Sequence, residues 1–184
     1  MFKKDFLRKK YYALRKKKYF EVKPSFFNPL LKLTSQIKTK NYINLSSYYP
    51  SSFEVNTLKI FESNMEKKIT IFLPVLQGKN SMNFYQWNNN ELLKVNKFGM
   101  LEPFIQSHYI VPDVMLVPLL SYDKNKNRLG YGKGFYDRYL KKYLKKYKNI
   151  LTIGIAFSFQ KHHTLPVLNN DVKLNYILTE KGIF

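Results

Sequence analysis

Four short apolar runs, at residues 42–45, 69–76, 114–120 and 151–157, constrain this chain most. Each is rich in Ile, Val, Leu and Phe without strict alternation, the pattern of a strand buried on both faces. Stretches of helical period separate several of them. Over residues 4–19, Leu7, Tyr11 and Leu14 recur at helical spacing, with Lys and Arg on the other faces. From about Pro29, Leu30, Leu33 and Ile37 share one side; residues 54–65 bring Leu58, Phe61 and Met65 together; residues 136–147 do so for Tyr136, Leu140, Tyr143 and Tyr147. Strands alternating with helices predict an α/β fold layered about a largely parallel sheet, in which ligands gather at the carboxyl ends of the strands. No internal repeat, long linker or break in composition divides the chain, and 45% of it is apolar, so residues 1–184 are expected to form a single domain.

Lys and Arg number 32 against 12 Asp and Glu, a formal charge of +20, and there is no cysteine. Without cysteine there is no disulfide framework, thiol nucleophile, thiolate zinc site or iron–sulfur cluster. The longest apolar runs fall far short of the ~20 residues that a membrane-spanning helix needs. The basic N-terminal stretch is interrupted by Asp5 and by further Lys and Arg up to Lys18, where a signal peptide would be apolar. The expectation is a cytoplasmic protein without a membrane partner. The charge itself asks for an anionic partner, whether nucleic acid, acidic lipid or a phosphorylated or carboxylated small molecule.

Residues 114–137 narrow the choice. An apolar strand ends at Leu120, a polar turn follows, and Arg128-Leu-Gly-Tyr-Gly-Lys-Gly places Gly130, Gly132 and Gly134 at alternate positions just before a helix. Glycine lets backbone N–H groups approach an anion closely, and a helix start adds unsatisfied N–H groups and its dipole. Arg128 and Lys133 supply the charge that polyphosphate oxygens require. Neither standard nucleotide motif is present. Gly134, not Ser or Thr, follows Lys133, and Phe135 stands where a dinucleotide fingerprint needs glycine. Asp137, in the first turn of the helix, either complements the helix dipole or holds Mg²⁺ beside a polyphosphate.

The stretch Arg128-Leu-Gly-Tyr-Gly-Lys-Gly-Phe-Tyr-Asp137 resembles the signature of the 5-formyltetrahydrofolate cyclo-ligase family, also called methenyltetrahydrofolate synthetases. Other segments follow in the family's order. They are Lys4-Asp-Phe-Leu-Arg8, Glu54-Val-Asn-Thr57, Phe98-Gly-Met-Leu-Glu-Pro103, Val117-Pro118, Ala156-Phe-Ser-Phe-Gln160, and Leu165-Pro166 with Asp171. The resemblance implies a three-layer α/β/α sandwich and an enzyme that uses ATP and Mg²⁺ to turn 5-formyltetrahydrofolate into 5,10-methenyltetrahydrofolate, releasing ADP and phosphate. It implies a monomer acting on a folate with or without a polyglutamate tail, and no specific nucleic acid. By the same resemblance Lys4, Arg8, Arg128, Leu129, Gly130, Tyr131, Gly132, Lys133, Gly134, Phe135 and Tyr136 would bind ATP, with Arg128 and Lys133 the catalytic charges. Asp137 and Asp171 would hold Mg²⁺. Tyr49 and Glu54 would contact the folate, and residues 131–135 would lie between nucleotide and substrate.

Most of these residues have a plainer reading as well. Lys4 and Arg8, four apart, suit a solvated basic helix face. Glu54 completes Ser51-x-x-Glu54, a capping box. Tyr49 suits a packed aromatic, and Asp171 follows Asn169-Asn170 in a turn-like setting. Phe84, Tyr85 and Trp87 suit either the pterin pocket or core packing. His108, His162 and His163 lack metal-ligand spacing. Phe135 and Asn170 depart from the family's common tyrosine and histidine. The rival readings are a nucleic-acid-binding protein, weakened by lysines scattered over the whole chain, and a relative acting on another small molecule, as in thiamine metabolism. Abundant Lys, Asn, Ile, Tyr and Phe match AT-biased coding, so most of the excess charge is read as compositional.

Overall fold

The computed structural model describes residues 2–34, 42–63, 69–147 and 149–184. Helix α1 (Phe2–Lys18) leads through a 3-10 turn (Pro24–Phe27) into α2 (Asn28–Thr34), then strand β1 (Ile43–Ser46) and a second 3-10 segment (Thr57–Glu62). Strands β2 (Ile69–Gln77) and β3 (Ser81–Gln86) form a hairpin, followed by β4 (Leu93–Val95) and β5 (Leu101–Pro103). Then come β6 (Val114–Pro118), the short pair β7 (Ser121–Tyr122) and β8 (Arg128–Leu129), helix α3 (Phe135–Lys146), β9 (Leu151–Ile155), β10 (Tyr176–Thr179) and β11 (Gly182–Ile183).

Among the described residues, seven strands form one sheet in the order β11-β10-β9-β6-β1-β2-β3. The five inner strands run parallel, and β3 and β11 close the two edges antiparallel. All five residues of β6 are buried, as its unbroken apolar run requires. The pleat divides them. Val114 and Leu116 join Ile43, Leu45, Ile71 and Leu73 under Phe26, Phe27, Leu30 and Ile60; Met115 and Val117 face the other way, against Tyr139, Leu140 and Tyr143 of α3. Two apolar cores on opposite faces of one sheet make the three-layer α/β/α sandwich. Of the segment 54–65, read as a helix, the described residues 54–63 form only the 3-10 piece Thr57–Glu62. The Glu54 carboxylate does take the Ser51 amide as a capping box would, at 2.9 Å, but a turn follows, with the Glu54 amide bonding the Ser51 carbonyl at 2.9 Å. The cap passes instead to Asn56, whose side chain accepts from the Leu58 amide at 3.1 Å. Ile37 and Met65, read as helical, lie outside the described residues.

The chain leaves β1 toward β2 on one side and later returns to β6 on the other, so the topological switch falls at the carboxyl ends of β1 and β6. Helix α1 belongs to neither covering layer. Its Leu7 and Tyr11, with Leu14 beside them, pack on Leu120, Leu129 and Leu165, which lays the helix over that end of the sheet. The Tyr11 hydroxyl anchors it further, bonding the Lys161 carbonyl at 3.2 Å and His162 Nδ1 at 2.9 Å. No described helix is long and apolar enough to cross a membrane.

Candidate active site

A cavity of about 760 Å³ opens at the switch point, within the range of small-molecule and cofactor sites. The exposed side of α1, the loop after β1, the glycine loop between β8 and α3, and the segment 168–171 before β10 all line it. The hairpin β4–β5 adds a further wall through Asn96, Phe98 and Met100. The buried Glu102 holds that hairpin to the sheet, accepting from the Leu76 amide at 3.2 Å and Asn96 Nδ2 at 3.1 Å, with Lys94 Nζ 3.7 Å away. The Gly-x-x-Glu-Pro segment thus does structural work at its Glu.

Glycine is required in the loop for two reasons. Gly132 and Gly134 have φ of 96° and 69°, the left-handed region, and Gly134 caps α3. Guanidinium groups also occupy the space that side chains would take. A Cβ at Gly130 would stand 2.8 Å from Arg128 Nη1, one at Gly132 3.2 Å from the Arg8 guanidinium carbon, and one at Gly134 2.8 Å from Arg138 Nη1. Arg8 Nε in turn donates to the Gly130 carbonyl at 3.0 Å. The result is a backbone cradle edged by three arginines, with Lys133 over the Phe98 ring at 5.5 Å.

The two candidate metal ligands face the same cavity, each beside a cation. Asp137 Oδ1 lies 2.8 Å from Arg128 Nη2, and Asp171 Oδ2 pairs with Lys4 Nζ. Asp137 Oδ1 also accepts from the Val172 amide at 3.4 Å, which brings it beside the residue following Asp171. No group of three or more His, Cys, Asp or Glu gathers for a metal among the described residues. Two carboxylates on a cavity rich in Lys and Arg nonetheless suit Mg²⁺, which uses one or two of them and completes its shell with phosphate oxygens and water.

On the opposite wall, Glu54 is buried. The Tyr131 hydroxyl donates to its Oε1, and the Ser51 amide and hydroxyl donate to Oε2 at 2.9 and 3.3 Å. Burial pushes its carboxyl above the usual range, and the charge of Arg15 and these hydrogen bonds pull it back only in part. Burial together with the Glu54 charge raises the Tyr131 and Tyr48 hydroxyls well above the ordinary phenol value, so both are held as donors. The ring of Tyr131 is exposed along the cavity while its hydroxyl is enclosed. Tyr136 also presents a buried hydroxyl with no hydrogen-bond partner among the described residues.

The geometry brings Lys4, Arg8, Tyr49, Glu54, residues 128–137 and Asp171 onto one cavity, so every residue given a binding, catalytic or metal role from the sequence lines it. Phe84, Tyr85 and Trp87 do not; all three are buried, and Phe84 packs on Tyr139 at 4.9 Å between centroids. Cavity aromatics come instead from Tyr12, Tyr48, Phe98 and Tyr136 as well as Tyr49. Sequence reasoning missed Arg138 and Lys141, which line the rim one and two turns into α3, and Arg15. A signal for Arg15 existed: it stands seven residues beyond Arg8, two helical turns along the same face.

Comparison with known proteins bears on the family and the fold. The family model described as the 5-formyltetrahydrofolate cyclo-ligase family matches residues 4–180. A 5-formyltetrahydrofolate cyclo-ligase of Haemophilus influenzae is 31% identical over 148 residues, covering 77% of this chain and 78% of its own. The solved structure of a 5,10-methenyltetrahydrofolate synthetase from Mycoplasma pneumoniae superposes with a TM-score of 0.68 at 26% identity, covering 96% of this chain and 98% of that one. The structure of the Aquifex aeolicus 5,10-methenyltetrahydrofolate synthetase does so with a TM-score of 0.68 at 28% identity, covering 98% and 91%. Matched by the family model over nearly its whole length, and by a relative 31% identical, the chain belongs to the 5-formyltetrahydrofolate cyclo-ligase family.

Proposed function

We propose that this protein converts 5-formyltetrahydrofolate into 5,10-methenyltetrahydrofolate at the expense of ATP, with Mg²⁺, as a monomer. The observation that carries the reading is the convergence of six cations, Lys4, Arg8, Arg128, Lys133, Arg138 and Lys141, and three carboxylates, Glu54, Asp137 and Asp171, on one cavity at the switch point. A site with that balance suits a polyphosphate at one end and a partly anionic organic molecule at the other. That one chain supplies all of these groups supports the monomer.

A formamide oxygen is a poor leaving group, so the reaction needs activation. The formyl oxygen attacks the γ-phosphorus and ADP leaves; N10 of the folate then attacks the activated carbon, its proton is lost, and phosphate departs as the ring closes. No protein nucleophile is required, which fits a cysteine-free site. In this reading Lys4, Arg8 and residues 128–136 hold the nucleotide, and Arg128 and Lys133 offset the charge that develops on the transferring phosphoryl group. Asp137 and Asp171 would hold Mg²⁺, which neutralises phosphate charge and orients its oxygens. Tyr49 and Glu54 orient the folate, and residues 131–135 separate it from the nucleotide until the formyl oxygen and γ-phosphorus are aligned.

Purified protein with ATP, Mg²⁺ and 5-formyltetrahydrofolate should develop the near-ultraviolet absorbance of the methenyl product. Absence of product, together with tight, salt-sensitive RNA binding, would overturn the proposal in favour of a nucleic-acid-binding protein. Asp137→Ala should abolish turnover in a protein that remains folded by circular dichroism, and near-normal turnover would remove Asp137 from the metal site.

A further inference from the structure

Arg15 is among the most deeply buried side chains of the protein, 1% exposed, and it does not line the cavity. A guanidinium taken out of water is costly unless its charge and most of its N–H groups are met, and an apolar residue of similar length would fill the space more cheaply. Nε of Arg15 has no partner among the described residues, so the fork of Nη1 and Nη2 carries the contacts. Here the fork meets three separate segments. Nη2 donates to the Ser52 carbonyl at 2.8 Å, in the loop after β1; Nη1 donates to the Leu119 carbonyl at 3.3 Å, just beyond β6, and to the Tyr131 hydroxyl at 2.6 Å, in the glycine loop. The guanidinium also lies 5.5 Å from the centroid of the Tyr131 ring.

The contact with Tyr131 is directional. A phenol carries one proton, and since Arg15 donates to its oxygen, that proton is left for another acceptor, Glu54 Oε1. The other oxygen of Glu54 is held by Ser51. A carboxylate fixed at both oxygens has one orientation to offer, and the buried positive charge behind Tyr131 favours its ionised form against the cost of burial.

We infer that Arg15 is a positioning residue for the folate half of the site: without touching ligand, it aims the Tyr131 hydroxyl at Glu54 and so fixes the carboxylate that receives the substrate. This rests on the proposed role of Glu54 in folate binding. It separates Arg15 from Lys4 and Arg8, which stand on the same helix but face the nucleotide half.

The test is steady-state kinetics on Arg15→Met, Tyr131→Phe and their combination, with kcat and the KM values for 5-formyltetrahydrofolate and ATP measured separately and folding followed by thermal melts. Arg15→Met keeps the volume and removes the fork. The expected result is a loss of about 10- to 100-fold in kcat/KM for the folate, the range for a hydrogen bond involving a charged group, with the KM for ATP within about twofold of wild type. The double variant should be no worse than the poorer single one, because both cut the same chain of contacts. Wild-type folate constants in Arg15→Met overturn the inference, as do equal losses toward both substrates or effects that multiply in the double variant. Should Arg15→Met fail to fold, the same cycle is run with Arg15→Lys, whose single ammonium cannot span Ser52 and Tyr131. Glu54→Gln separates the two claims. If it leaves the folate constants untouched, the role of Glu54 and the inference both fall; if it is costly while Arg15→Met is harmless, only the inference falls.

Discussion

At Gly132, backbone and side-chain demands coincide: φ is 96°, and the Arg8 guanidinium lies where a Cβ would have to go. Gly132→Ala should therefore cost about 1–2 kcal/mol in backbone strain and displace Arg8 as well. The expected outcome is a raised KM for ATP with only a modest drop in melting temperature; an unchanged ATP constant would detach Arg8 from the nucleotide. Glu54 yields a prediction in pH. Because burial raises its pKa in the folded protein, its contribution to stability is full below the ordinary carboxyl value of ~4.3 and is lost as pH rises through the folded pKa. Activity that needs the carboxylate runs the other way, failing as pH falls below that raised value. The Tyr131 hydrogen bond lowers the Glu54 pKa, so Tyr131→Phe should move the acid limb of kcat/KM for the folate to higher pH. A limb that stays in place would assign it to another group.

Among the elements, the β7–β8 hairpin sets the position of Arg128, and a single buried carboxylate organises its turn. Asp123 accepts from the amides of Asn125 at 2.9 Å, Asn127 at 3.1 Å and Leu165 at 3.1 Å, and from Asn127 Nδ2 at 3.0 Å. Burial pushes its carboxyl up, but these hydrogen bonds outweigh that and hold it below the ordinary value. The stability it contributes is present above the unfolded-state pKa of ~3.9 and is lost as pH falls through the folded one. Asp123→Ala should cost about 1–3 kcal/mol and move acid unfolding to higher pH, measured by melts across the acid range. In β9, a Cβ at Gly154 would meet side-chain atoms of Leu119, Ile177 and Leu174 at 2.7–2.8 Å, so Gly154→Ala should destabilise by about 1–3 kcal/mol without altering either KM. The long elements were legible from residue pattern alone, since α1, α3 and the central strands announce themselves by period and by unbroken apolar runs. The segment after Glu54 was not. Its Leu, Phe and Met spacing matches a helix, yet Val55 and Asn56 favour other backbone geometries locally, and only a 3-10 piece forms among its described residues.

For the molecule as a whole, charge is concentrated where the ligands are expected as well as spread over the surface. Six cavity cations against three carboxylates draw anions in, and that attraction weakens as the screening length falls from ~10 Å at 0.1 M salt to ~3 Å at 1 M. The KM values for both substrates should rise with ionic strength more than kcat changes, and salt-independent constants would leave the cavity charge without a role in capture. The site was legible to the extent that its residues belong to contiguous motifs, as the glycine loop does. Arg15 was missed because its membership depends on which distant segments the fold brings together, and Arg138 and Lys141 because they lie just beyond the motif, where a basic helix face also reads as solvated. For the aromatic residues Phe84, Tyr85 and Trp87 the sequence left pocket and core packing open, and all three are buried away from the cavity.

Lys4 and Asp171 meet across 167 positions of sequence, joining the first helix to the segment that precedes β10. Chain order then has a consequence in time. A polypeptide leaving the ribosome has β1, β2 and β6 in hand well before Asp171 emerges, so the sheet can begin to assemble while the cavity still lacks one of its acidic groups. The nucleotide grip proposed for this cavity would then be among the last properties a nascent chain acquires.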